Sequence, residues 1–296
     1  MSLEPYAEMY QRLVRGDALI GILPLAEVRQ AVTNLWDLAT HTDDAGTWLL
    51  LGRYYVVHRH PQGAFDGTGV DVPAAPAWPR AVATDVPEDD PFGVAVRCFA
   101  HAAGKGSLDA AILLARCARE TDAATRATAR ALLSPFPDSG GTLTYERAVL
   151  AYWDGDLGTS IALHTEAAQA GHIDAMFELY CLYAKGEGVE ADEAKAQRWL
   201  ERAADGGHGR AVYNVGAAYA SGRGVERDAA KAITYYERAA NLGNARAAAM
   251  LGYMFLVGEG AEASPERASE WFDDAEAMGF DVEDFCSSLG IEDPRT

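Results

Sequence analysis

Between Ile173 and Gly279 the apolar residues follow a helical period, stop at glycines, and resume. Ala211, Val215 and Tyr219 stand at i, i+4 and i+8, which puts them on one face of a helix. Gly222 follows and suits the left-handed conformation that ends a helix; Gly224 lets the chain turn back. Asp228 then offers a carboxylate to the free backbone N–H groups that open a second helix. That helix carries Ala232, Tyr235, Tyr236, Ala239 and Ala240 on one face, and Gly243 closes the unit. The alanines predict a close helix approach, and the aromatics fill the space between.

The unit recurs with a step of 36 residues. Ala175, Ala211 and Ala247 keep the step, as do Tyr183, Tyr219 and Phe255, and so do Gly186, Gly222 and Gly258. Asp192, Asp228 and Ser264 hold one position, and Gly207, Gly243 and Gly279 another. In the third copy Ser264-Pro265 supplies an N-cap with proline at the first helical position. The G-x-G of "ASGRGVERD" therefore appears in every copy. A phosphate-binding loop is needed once and a turn in each repeat, so the glycines predict turns. One departure stands out. Tyr180 occupies the position of Gly216 and Gly252, which predicts that the first copy packs its two helices differently or more loosely.

This pattern, carried by "AVYNVGAAYASGRGVERDAAKAITYYERAANLG" and its two neighbours, resembles the Sel-1-like repeat, a relative of the tetratricopeptide repeat. The resemblance implies a right-handed α-α superhelix in which the first helix of each unit lines a concave groove. Secreted, cysteine-rich relatives linked to β-lactams carry a cysteine pair in each repeat, and that pair is missing here.

Weaker copies extend the array towards the N-terminus. "TYERAVLAYWDGDLGTSIALHTEAAQAG" keeps Ala167, Ala168 and Gly171 in register, and "VRCFAHAAGKGSLDAAILLARC" mirrors "ITYYERAANLGNARAAAMLGYM". Further helices are predicted at Pro5–Val14, Leu25–Thr40, Trp48–His58 and Ala123–Leu133. The chain thus reads as one all-α domain over 1–296, a solenoid of about a dozen helices. N-terminal helices occupy 1–59 and an irregular insertion rich in proline, glycine and aspartate covers 60–91. Degenerate repeats run over 92–171 and three clear ones over 172–279. A cap helix with an acidic tail closes the chain over 280–296, giving the last unit the polar outer face that a solenoid needs.

Charge narrows the partners. The 296 residues carry a formal net charge of -19, which repels nucleic acid and anionic lipid. The N-terminal stretch lacks the apolar core of a signal peptide and no apolar run reaches the length of a membrane span, so a cytoplasmic protein is expected. Cys98, Cys117, Cys181 and Cys286 are widely spaced and fit buried, reduced thiols.

Candidate chemistry is sparse. His58 and His60, with Asp66 and Asp71 downstream, form the one cluster that suggests a metal-dependent enzyme, but no third strong ligand is fixed by spacing. His172 and His208 recur at one repeat position, which predicts a polar group at a helix start. If the first helices line a groove, its wall carries Arg210, Tyr213, Arg246, Tyr253 and Phe177. Those aromatics either face a partner or pack on adjacent helices. The function expected is a non-catalytic scaffold, monomeric and without cofactor, that binds a protein or peptide segment in the groove. The alternatives are a neutralising, immunity-type partner of a basic effector, and the metal-dependent enzyme.

Overall fold

The structure, a computed structural model, describes residues 25–57, 91–119 and 121–295. Among them lie fourteen α-helices and no strand, two helices more than the dozen the sequence pattern predicts. They are α1 (Leu25–Thr42), α2 (Ala45–Val57), α3 (Pro91–Gly104), α4 (Leu108–Ala118), α5 (Ala123–Leu133), α6 (Thr142–Trp153) and α7 (Leu157–Gln169). There follow α8 (Ile173–Lys185), α9 (Glu193–Asp205), α10 (Gly209–Ser221), α11 (Ala229–Asn241), α12 (Ala245–Val257), α13 (Pro265–Ala277) and α14 (Val282–Leu289). The expected helix at Pro5–Val14 and the insertion from residue 60 to 90 lie outside the described residues. No helix among the described residues is long and apolar enough to cross a membrane. The chain divides into two compact units, residues 1–160 and 161–296.

In the first unit Leu35, Trp36, Leu51, Phe99, Leu114 and Leu133 belong to one buried core. The tightest contact joins α2 to α3: a Cβ added at Gly52 would stand 2.5 Å from the ring of Phe99. A glycine on a first helix lying under an aromatic on a second helix is the pairing that the clear repeats also use, as described below. So α2 and α3 form a repeat-like hairpin whose connection has grown to 33 residues, 58–90. Asp43, in the turn before α2, has a left-handed backbone with φ 50°. Its carboxylate accepts from Trp48 Nε1 at 3.3 Å, meets His101 Nε2 at 2.6 Å and pairs with Lys105. Lys105 and His101 together hold the Asp43 carboxyl down to about 2. Between α4 and α6 the buried Glu146 carboxylate is gripped by Arg116 Nε at 2.8 Å and Arg119 Nη2 at 2.6 Å.

The second unit is a stack of hairpins, α8 with α9, α10 with α11 and α12 with α13, each followed by its successor. The caps are those the sequence predicts. The side chains of Asp192, Asp228 and Ser264 accept from the backbone N–H groups of Lys195, Lys231 and Arg267. Gly222 ends α10 in the left-handed conformation, and every turn closes by the same long-range bond. Asp192, Asp228 and Ser264 each donate a backbone N–H to the carbonyl of Tyr183, Tyr219 and Phe255, at 3.0, 2.9 and 2.8 Å. Gly222 and Arg223 donate their backbone N–H groups back to the Ala218 carbonyl, so the G-x-G is a turn that closes on its own helix. Successive hairpins are tied by Arg238, which donates to the Ala204 carbonyl at 2.6 Å, and by the Arg227–Glu259 pair at 2.5 Å.

Candidate partner-binding groove

The first helices α8, α10 and α12 present the residues that the sequence places along the groove. Arg210 and Arg246 are exposed, and each sits in the first turn of its helix. A cation there opposes the helix dipole, where an acid such as Asp174 of α8 is favoured. The arginines recover attraction from the preceding hairpin. The Arg210 guanidinium lies 4.8 Å from the centroid of the Phe177 ring, and that of Arg246 lies 5.8 Å from Tyr213. Among the described residues neither guanidinium has a carboxylate within ion-pair reach.

Phe177 corrects the sequence expectation. It is 3% exposed and does not face the groove. One reason is Arg210; the other is His208, whose ring stacks on Phe177 with centroids 4.2 Å apart and planes at 18°. Spacing alone gave no signal of this, because both covering groups come from the next unit. Tyr213 is half-buried against Tyr236, 5.4 Å away, and Tyr253 is half-buried on α12. The accessible set is therefore Arg210, Tyr213, Arg246 and Tyr253, with Phe177 as the platform beneath Arg210.

His172 and His208 are helix caps, as the recurrence predicts. Their Nδ1 atoms accept from Ala175 and Ala211 N–H at 3.3 and 3.2 Å, and Asn244 does the same for Ala247 in the third copy. An Nδ1 that accepts carries no proton, so the proton of neutral His208 is on Nε2, 3.6 Å from Asp174 Oδ1. Burial pulls the His208 pKa below its ordinary range, although Asp174 acts in the opposite direction.

A second recurring contact fixes the turns. Lys195, Lys231 and Arg267 lie over Tyr183, Tyr219 and Phe255 at 5.3, 5.3 and 3.7 Å. The Sel1 repeat model matches residues 173–208, 209–244 and 245–280, the three copies that share these caps and stacks. A Sel1 repeat protein from Oxalobacter formigenes is 36% identical over 42% of this chain and 95% of its own, with a TM-score of 0.40. The chain belongs to the Sel1 repeat family.

Other solved structures are more distant. The c5321 protein of uropathogenic Escherichia coli, a protective antigen with the SLR fold, is 20% identical. The match covers 87% of this chain and 49% of that one, at a TM-score of 0.49. The immunity protein Pa5087 of Pseudomonas aeruginosa is 21% identical over 66% of this chain and 75% of its own, at 0.42. A search of curated proteins finds no match. For this Sel1 repeat protein the other sequence-level candidate, His58 and His60 with Asp66 and Asp71, lies outside the described residues. Among the described residues no three His, Cys, Asp or Glu side chains gather as a metal would need.

Proposed function

We propose that this Sel1 repeat protein is a non-catalytic adaptor that holds an acidic segment of a partner protein along α8, α10 and α12. The observation that carries this reading is the state of Arg210 and Arg246. Both are exposed and stacked on the ring of the preceding unit, and neither is spent on a carboxylate among the described residues. A stacked guanidinium keeps its in-plane N–H groups pointing outward, and these match the two oxygens of a carboxylate. Two such forks one repeat apart suit two acidic residues on one peptide, with Tyr213 and Tyr253 covering the apolar side chains between. The ring beneath each guanidinium also limits its freedom, so less entropy is lost on binding.

The test begins with capture of the partner from native cell extract on the full chain. Arg210→Ala combined with Arg246→Ala should leave the melting temperature nearly unchanged and weaken the captured partner's binding at least tenfold, or about 1.4 kcal/mol. Equal affinity in the double variant refutes the reading. A second reading, a neutralising partner for a basic effector, is favoured by the net charge of -19. In that case the captured protein is basic and the double variant binds it no less tightly.

A further inference from the structure

Bulk is exchanged between helices in the first Sel1 repeat. In the second and third repeats a glycine on the first helix lies under an aromatic on the second. A Cβ at Gly216 would stand 2.9 Å from the Tyr236 ring, and one at Gly252 would stand 2.5 Å from Phe272. One repeat earlier the same two positions hold Tyr180 and Leu200. Leucine on α9 fills less space than the aromatics, and the tyrosine on α8 stays half-buried. The result is a cleft of 710 Å³ between α8, α9 and α10, walled in part by Tyr180, Leu200 and Ala217.

The lining is mixed: Tyr180, Leu200 and five alanines give ring and methyl surface, Gln197, Asn214 and Ser221 are polar, and two residues are charged, Glu193 and the exposed Arg223. Among the described residues Arg223 has no carboxylate within ion-pair reach. The cleft also adjoins the stacked arginine. Tyr180 lies 5.6 Å from Phe177, ring centroid to centroid, and Phe177 is the ring under Arg210.

We propose that this cleft is the side-chain pocket of the groove, taking one large apolar residue of the bound peptide while Arg223 pairs with a neighbouring carboxylate. The inference rests on the reading of the groove as a site for acidic peptides. Tyr180, Leu200 and Ala217 offer ring and methyl surface to an apolar group, and burying such a side chain is the main source of affinity in small interfaces. The unpaired Arg223 decides the charge of what lies beside it. Arg223 and Asn214 both line the cleft.

A displayed library of random twelve-residue peptides, panned on the full chain, tests this. The wild type should enrich acidic peptides with a Phe, Trp or Leu at a fixed spacing from the acids. Ala217→Phe should fill the cleft and abolish the apolar preference while acidic peptides are still selected. Arg223→Ala should weaken the best synthetic peptide about tenfold in a fluorescence titration. If Ala217→Phe fails to fold, Arg223→Ala, a change at an exposed side chain, decides alone. An unchanged apolar preference or an unchanged Arg223→Ala affinity overturns the pocket and leaves the groove standing. If the wild type enriches no acidic peptide, the groove reading falls and the pocket with it.

Discussion

At the scale of single residues, the His208 cap makes folding sensitive to mild acid. Nδ1 of His208 can accept from the Ala211 N–H only while the ring is neutral. Burial lowers its pKa in the folded chain, so the unfolded chain takes up the proton first as pH falls. The contribution is complete above the ordinary imidazole value, about 6.5, and is lost as pH drops through the folded-state value. His208→Asn, which copies the cap at Asn244, should therefore lose less melting temperature than the wild type between pH 7.5 and 5.5. Melts at both pH values check this, and equal losses would mean that the cap does not titrate. The glycines give a second test. Alanine is the better helix former by about 1 kcal/mol, and Gly104, with open space around it, should gain from Gly104→Ala. Gly216→Ala should instead cost about 1–3 kcal/mol by overpacking, because the Tyr236 ring stands where the methyl would go. Urea unfolding of the two variants should move in opposite directions.

At the scale of helices, what was legible in the sequence depended on whether a contact stays inside one unit. Asp228, Ser264 and Gly222 could be read as caps because their partners lie within four residues of them. The Tyr180 departure was legible too, as a position breaking the step of its copies. Its consequence was legible as a looser packing of the two helices, but not as a cleft, because one wall of that cleft comes from α10 of the next unit. Phe177 was misplaced because the groups that cover it, Arg210 of α10 and its N-cap His208, belong to the next hairpin. The pairing of Gly52 with Phe99 was hidden by the long connection between α2 and α3. The exchange at Tyr180 and Leu200 can be reversed. Tyr180→Gly alone should destabilise by removing a packed ring, and Leu200→Phe should restore the pairing used at Gly252 and Phe272. A double-mutant cycle should give a favourable coupling of about 0.5–3 kcal/mol. Additive effects would show that the two positions do not share one space.

At the scale of the whole molecule, the acidic surface and the arginine forks act on different things. The net charge of -19 sets the long-range field, which slows the approach of an acidic partner. In the proposed function Arg210 and Arg246 would act at contact, after water has been displaced, so selectivity would fall to geometry more than to attraction from a distance. The contacts between Sel1 repeats also have a direction: the second unit offers the ring of Tyr213 to its successor and Arg210 to its predecessor. A duplicate of residues 209–244 inserted after Asn244 would place its Arg210 over the existing Tyr213, and its own Tyr213 under Arg246. Such a chain should fold with helical ellipticity raised in proportion to the added residues, and a melt that broadens or splits would show that the junctions do not match. The unit is in this sense a modular length gauge. Lengthening the protein by one duplication adds one arginine at one fixed interval, so under the proposed function the spacing of acids that a partner would display could be read from the gene as a count of copies.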